Sequence, residues 1–231
     1  MAKFCTKCGS PLEEGKPCKC ESEKKEVKNV SSSNFVELLK EYLDVVKGMA
    51  KKPIDTLKEK NDESNFNLAL VSIGVTSIIL GFVMCFIIKS MMSGLAGLVD
   101  IPYVKVFLVG FVTMAAMISV MALIAYVIVD KLLKSETSIK KMFILFGLSS
   151  IVFAEVLIIA ALLAVFEISA TVIYIVIAIG ALLWFAYNLK GIESYSKIDV
   201  NMIGYTMAVT DATTMLIMYY LIKNVIAKIL M

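Results

Sequence analysis

The chain has no histidine and no arginine; all 23 of its cations are lysines. Without an imidazole there is no Ser-His-Asp or Cys-His catalytic unit and no histidine metal ligand. The phosphate loop, the nucleophile elbow and the H-E-x-x-H zinc motif are missing as well, which removes the sequence case for a hydrolase or an intramembrane protease. The net charge of +3 is too small to mark a nucleic-acid binder, whose phosphate contacts need clustered cations. Charge is also scarce along most of the chain. Of 43 charged residues, 25 fall within the first 65, leaving 18 for the other 166. What fills that space is apolar: 59% of the chain is hydrophobic, against about 45–50% in a soluble domain. The pattern is a small polar head on a polytopic membrane domain.

The first 30 residues lack an apolar run of the kind a secretory signal needs, so the head is expected to stay in a reducing cytoplasm. Four of the five cysteines, Cys5, Cys8, Cys18 and Cys20, crowd into this head. In that compartment such clustering points to metal before disulfides. Cys5-Thr6-Lys7-Cys8-Gly9 is a C-x-x-C-G, whose two thiolates can meet one zinc ion at about 2.3 Å each. Gly9 permits the tight turn that aims amide N–H groups back at the sulfurs. Cys18-Lys19-Cys20 supplies a second, closer pair. A labile redox cluster or a ribbon that has lost its metal are the other readings of these thiols. Residues 4–20 resemble the short zinc ribbon at the N-terminus of many bacterial membrane proteins, with C-x-x-C-G, a linker of about ten residues, then C-x-x-C-G. They match the first knuckle and the linker, including Pro11-Leu12-Glu13. They depart at the second knuckle, where a spacer is missing and Glu21 replaces glycine. The resemblance implies Zn2+ on Cys5, Cys8, Cys18 and Cys20. Metal would then supply the folding energy of a head with almost no core, and Lys3, Lys7, Lys16 and Lys19 would offset the thiolate charge. Cys85, inside an apolar run, reads as a small buried hydrophobe.

With residues 1–21 as the ribbon, residues 22–33 are charged and then serine-rich, a flexible linker. A juxtamembrane amphipathic helix is expected over 34–60. Asn34 and Glu37 form a capping-box pattern, and Phe35, Leu38, Leu39, Tyr42, Val45, Val46 and Met49 make an apolar stripe. That stripe suits the headgroup interface, the protein's own face or a protein partner. Pro53 ends or kinks the helix.

The transmembrane domain occupies 61–231. Crossing a bilayer takes about 20 apolar residues, and spans are expected over 66–88, 104–129, 142–166, 168–189 and 200–222. The third and fourth come from one run, Met142–Leu189. As a single helix it would be about 72 Å long, so it must turn near Glu167-Ile168-Ser169. The fold class is thus an all-α polytopic bundle of five helices with a small zinc ribbon. With the N-terminus inside, ten loop lysines fall on the cytoplasmic side (Lys51, Lys52, Lys58, Lys60, Lys131, Lys134, Lys140, Lys141, Lys190, Lys197) and four outside (Lys89, Lys105, Lys223, Lys228). This bias predicts a plasma-membrane protein with its N-terminus in and C-terminus out. Tyr126, Trp184 and Tyr187 are expected as interface anchors at inner span ends, and Tyr103, Tyr219 and Tyr220 at outer ones.

Five spans, a cytoplasmic N-terminal region, the lead-in Lys52-Pro53-Ile54-Asp55-Thr56-Leu57 and the polar stretch Asn188–Lys197 resemble the Yip1 domain family over roughly residues 50–225. In eukaryotes that family implies membrane trafficking and Rab binding. Its bacterial members mostly have no assigned activity, so the resemblance implies a fold more than a function.

Two acids lie deep in the apolar runs, Glu155 in span three and Asp211 in span five, at similar depth. A charge there costs about 2.5–3.5 kcal/mol on insertion scales. They suit either a proton- or cation-linked site, with Thr210, Thr213 and Thr214 beside Asp211, or protonated acids bonding across helices. No inverted repeat or proline-broken helix marks a transporter. Gly74, Ser77, Gly81, Gly110, Gly147 and Gly180 read as close-packing points. The leading expectation is a non-enzymatic scaffold, its ribbon or surface helix binding a protein partner, with the lipid bilayer around it and no nucleic acid. The alternatives are a small-solute or ion permease using Glu155 and Asp211, and a zinc or thiol-redox sensor.

Overall fold

A computed structural model describes residues 30–91 and 101–223. The ribbon cysteines, and with them the metal-site expectation, lie outside the described residues. The chain divides into two compact units, Met1–Glu41 and Tyr42–Met231, and the second is the bundle.

Seven α-helices and no strand are found among the described residues. They are α1 (Val30–Lys51), α2 (Pro53–Glu59), α3 (Phe66–Met91), α4 (Tyr103–Tyr126), α5 (Ile139–Val165), α6 (Ala170–Tyr195) and α7 (Val200–Leu221). The expected cap at Asn34 does not hold, because α1 already starts at Val30 and takes in four residues assigned above to the linker. Serine and asparagine lower helix propensity only modestly, and each added residue of a formed helix gains a hydrogen bond. Proline does stop α1. Lys52, before the ring, leaves helical geometry, and Pro53 opens α2 at a position that needs no N–H donor. Three of the five long bundle helices start beside a side-chain cap, while α4 and α6 start without one. Asp62 accepts from the Ser64 N–H at 2.9 Å in the turn before α3, Ser138 accepts from Lys141 at 3.3 Å before α5, and Asp199 accepts from Asn201 at 2.8 Å before α7. α4 ends by widening into a π turn, Val127–Leu132.

Among the described residues, four helices are long and apolar enough to cross a bilayer: Glu63–Ser90, Tyr103–Leu132, Ile139–Val165 and Ala170–Tyr195. The chain is accordingly built as a multi-pass membrane protein. The long apolar run turns where expected, at Glu167. The Glu167 N–H donates to Ala164 O (3.2 Å) and the Ile168 N–H to Leu163 O (3.0 Å), while Glu167 takes a left-handed φ of 56°. This is a Schellman stop with a glutamate where glycine is usual. α7 falls short of the other four in apolarity, since Asn201, Asp211 and four threonines interrupt it.

α5 is the central helix, packed on α3, α6 and α4; α7 packs on α4 and α6. Several of these approaches require a missing side chain. A Cβ on Gly110 would lie 2.9 Å from Gly81 Cα, and one on Gly81 would lie 2.7 Å from Phe107, so α3 and α4 cross backbone to backbone. Gly147 of α5 sits against Ala69 O of α3, and Gly180 of α6 against Val156 of α5. Ser77 is fully buried beside them. Gly74 differs: nothing stands within 4 Å of its Cβ position, so it is no packing point. Cys85 is half-buried, its Sγ 3.5 Å from Tyr103 O, where a buried thiol was expected. It lies on the rim of α3, next to the exposed Phe86.

Candidate functional site

Glu155 and Asp211 are both partly buried, and no hydrogen bond or ion pair joins them among the described residues. The helix geometry explains their separation. α7 lies on α4 and α6, whereas Glu155 sits on α5 at the upper end of a face formed by Leu148, Ile151 and Val152. Those three are buried, while Ile158 and Ile159 beyond Glu155 are exposed. Tyr42 of α1 lies within electrostatic reach of Glu155. Burial, and then the charge of Glu155 within electrostatic reach, push the Tyr42 phenol up to about 12. Tyr42, Val45 and Met49 follow one another at helical spacing and are all buried. α1 therefore turns part of its apolar stripe onto the bundle while Leu43 remains exposed. The threonines of α7 spend their hydroxyls locally: Thr206 donates to Met202 O and Thr210 to Thr206 O, each at 2.8 Å. Thr214 Oγ1, buried one turn further on, has no partner.

The best-formed polar constellation is one that composition did not mark. One turn of α5, Gly147–Ser150, bonds to both neighbouring helices. Toward α6, the Trp184 Nε1–H donates to Ser149 Oγ at 2.9 Å, and Ser149 Oγ–H donates to Asn188 Oδ1 at 2.5 Å. Phe153 stacks on the Trp184 ring with centroids 5.5 Å apart. Toward α3, Ser72 donates to Gly147 O at 2.7 Å and Thr76 shares a proton with Ser150 at 3.0 Å. Ser72, Thr76, Ser149, Ser150 and Asn188 are completely buried, and Asn188 Nδ2 finds no partner. Trp184 is thus an interior residue, 5% exposed, and not an interface anchor. Its indole N–H has a better acceptor inside the bundle than at a headgroup. The available signal was Trp184 and Asn188 one turn apart on an apolar helix, with Ser149-Ser150 the polar pair in another.

The lysine-rich end of the bundle is tied together through loops. Tyr195 Oη donates to Leu57 O at 2.7 Å, Asn61 Nδ2 to Ser194 O at 2.8 Å, and Thr137 Oγ1 to Tyr195 O at 3.1 Å. The Lys197 N–H donates to Ser135 Oγ at 2.9 Å, and its ammonium pairs with Glu136 at 2.9 Å. That ammonium holds the Glu136 carboxyl below the usual range. Beside these links a groove of about 470 Å³ opens between α2 and the last turn of α6, lined by Ile54, Lys58, Lys190, Glu193 and Ser194. Among the described residues no cluster of three His, Cys, Asp or Glu side chains is placed to hold a metal. Comparison with family models, with curated proteins and with solved structures finds no match to this chain.

Proposed function

We propose that this is a non-enzymatic integral membrane protein whose helical bundle holds a zinc ribbon at the cytoplasmic face, where the ribbon engages a protein partner. The observation that carries this reading is the packing of α5. Its polar turn is consumed by bonds to α3 and α6, and its glycine contacts bring backbones together, as in a scaffold and not in a conduit. A permease using Glu155 and Asp211 jointly would need the two carboxyls to meet, and α7 packs away from Glu155 on α4 and α6. Lack of histidine supports the non-enzymatic reading.

α7 is taken as the fifth span. At about 1.5 Å per residue its 22 residues reach about 33 Å, enough for a hydrocarbon core of about 30 Å. Its outward side chains, Val200, Tyr205, Val209, Met215 and Leu216, are apolar or aromatic and exposed. Five spans and the lysine bias put the N-terminus inside and the C-terminus out. The likeness to the Yip1 domain is favoured by Pro53 opening a short helix before the first span, by Tyr195 of the 188–197 stretch donating to Leu57 O of that helix, and by Ser194 O accepting from Asn61 just after it.

Zinc content of the purified full chain and crosslinking from the head test the reading together. The wild type should carry about one equivalent of zinc, and a photocrosslinker beside Cys8 should capture a discrete protein. Cys18→Ser with Cys20→Ser should lose both the metal and the adduct. A metal-free wild type, or capture that survives loss of the metal, contradicts the proposal.

A further inference from the structure

We propose that the groove between α2 and the end of α6 is a binding site for the phosphate headgroup of an anionic phospholipid. Lys58 comes from one wall and Lys190 from the other, with Glu193 and Ser194 beside Lys190 and Ile54 opposite. Lys190 is bound to Glu193 at 3.0 Å, while Lys58 has no ion pair among the described residues. The lining therefore carries one net positive charge. That complements a lipid whose headgroup adds nothing to offset its phosphate, and it does not complement a zwitterionic one.

The groove is preformed. Leu57 and Asn61, on either side of Lys58 in the chain, are hydrogen-bonded to Tyr195 and Ser194. The two lysine-bearing walls are thus fixed relative to each other before any ligand arrives, and little ordering cost remains at binding. Position identifies the ligand as lipid. Lys190 stands near the end of a membrane-spanning helix, at the level where phosphates lie. Below it on the same face of α6, at seven, eleven and eighteen residues before, come Leu183, Ile179 and Val172. These are 40%, 51% and 42% exposed, an apolar track for an acyl chain directly beneath the ammonium. A free phosphate would use the lysines but gain nothing from the track.

Native mass spectrometry of the detergent-purified full chain, with phosphatidylglycerol and phosphatidylcholine offered together, tests the site. Phosphatidylglycerol should be retained preferentially, and each lysine should account for about a fivefold share of that preference. Lys58→Ala with Lys190→Ala should abolish it, and Lys58→Arg with Lys190→Arg should keep it, which separates charge from folding. Glu193→Gln should strengthen it by releasing Lys190. Equal retention of the two lipids, or an undiminished preference in the double alanine variant, overturns the proposal. So does a weaker preference in Glu193→Gln. Displacement of the lipid by millimolar inorganic phosphate also overturns it, because the track would then contribute nothing.

Discussion

Ser149 serves two buried partners with one hydroxyl, accepting from Trp184 and donating to Asn188. Hydrogen bonds between membrane helices average only about 0.6 kcal/mol in paired-deletion measurements. Leaving a buried polar group unpaired costs more, about 1–3 kcal/mol. Ser149→Ala would strand the indole N–H and add to the unpartnered amide of Asn188, so the second figure governs. Unfolding in detergent should show a loss of about 2 kcal/mol. Ser119→Ala, which removes only a bond to its own helix at Ala115 O, should be close to neutral. Equal effects would show that the Ser149 cluster is not a structural junction. At this scale the sequence was least legible. An acid in an apolar run announces itself, and Glu155 and Asp211 were found that way. A serine becomes important through partners 35 and 39 residues distant, and which partner it meets is decided by how α5 lies on α6.

Helices were largely legible because the signals are local. Apolar run length located four spans, Pro53 broke α1 from α2, and the excess length of the 142–189 run required the turn found at Glu167. Pairing between helices was not legible, since every span is apolar on several faces and hydropathy ranks none of them. Glycine adjusted that picture unevenly. Gly81 and Gly74 lie on the same helix, yet one touches α4 and the other touches nothing. Gly81→Ala should therefore destabilise, by about 1–3 kcal/mol, as the new methyl forces α4 away. Gly74→Ala should stabilise by up to about 1 kcal/mol through backbone entropy alone. Opposite shifts in the denaturation midpoint check the α3–α4 crossing; shifts of the same sign would refute it. α1 also shows where local reading stops. Its stripe was visible, but its division between bundle-facing Tyr42, Val45 and Met49 and exposed Leu43 depends on the surface it meets.

For the molecule as a whole, everything rests on the count of crossings. An even number would put both ends on one side of the membrane, and the five proposed crossings would put them on opposite sides, with the cysteine head among the cytoplasmic lysines. α7 decides the matter, because its threonines and Asp211 leave it the least apolar of the five long bundle helices. Thiol labelling of intact cells with a membrane-impermeant maleimide addresses it directly, using Lys197→Cys before α7 and Lys223→Cys after it. With five crossings, Lys223→Cys should be labelled from outside, while Lys197→Cys and the head cysteines should react only after the cells are opened. Labelling of both positions from outside, or of neither, would contradict it.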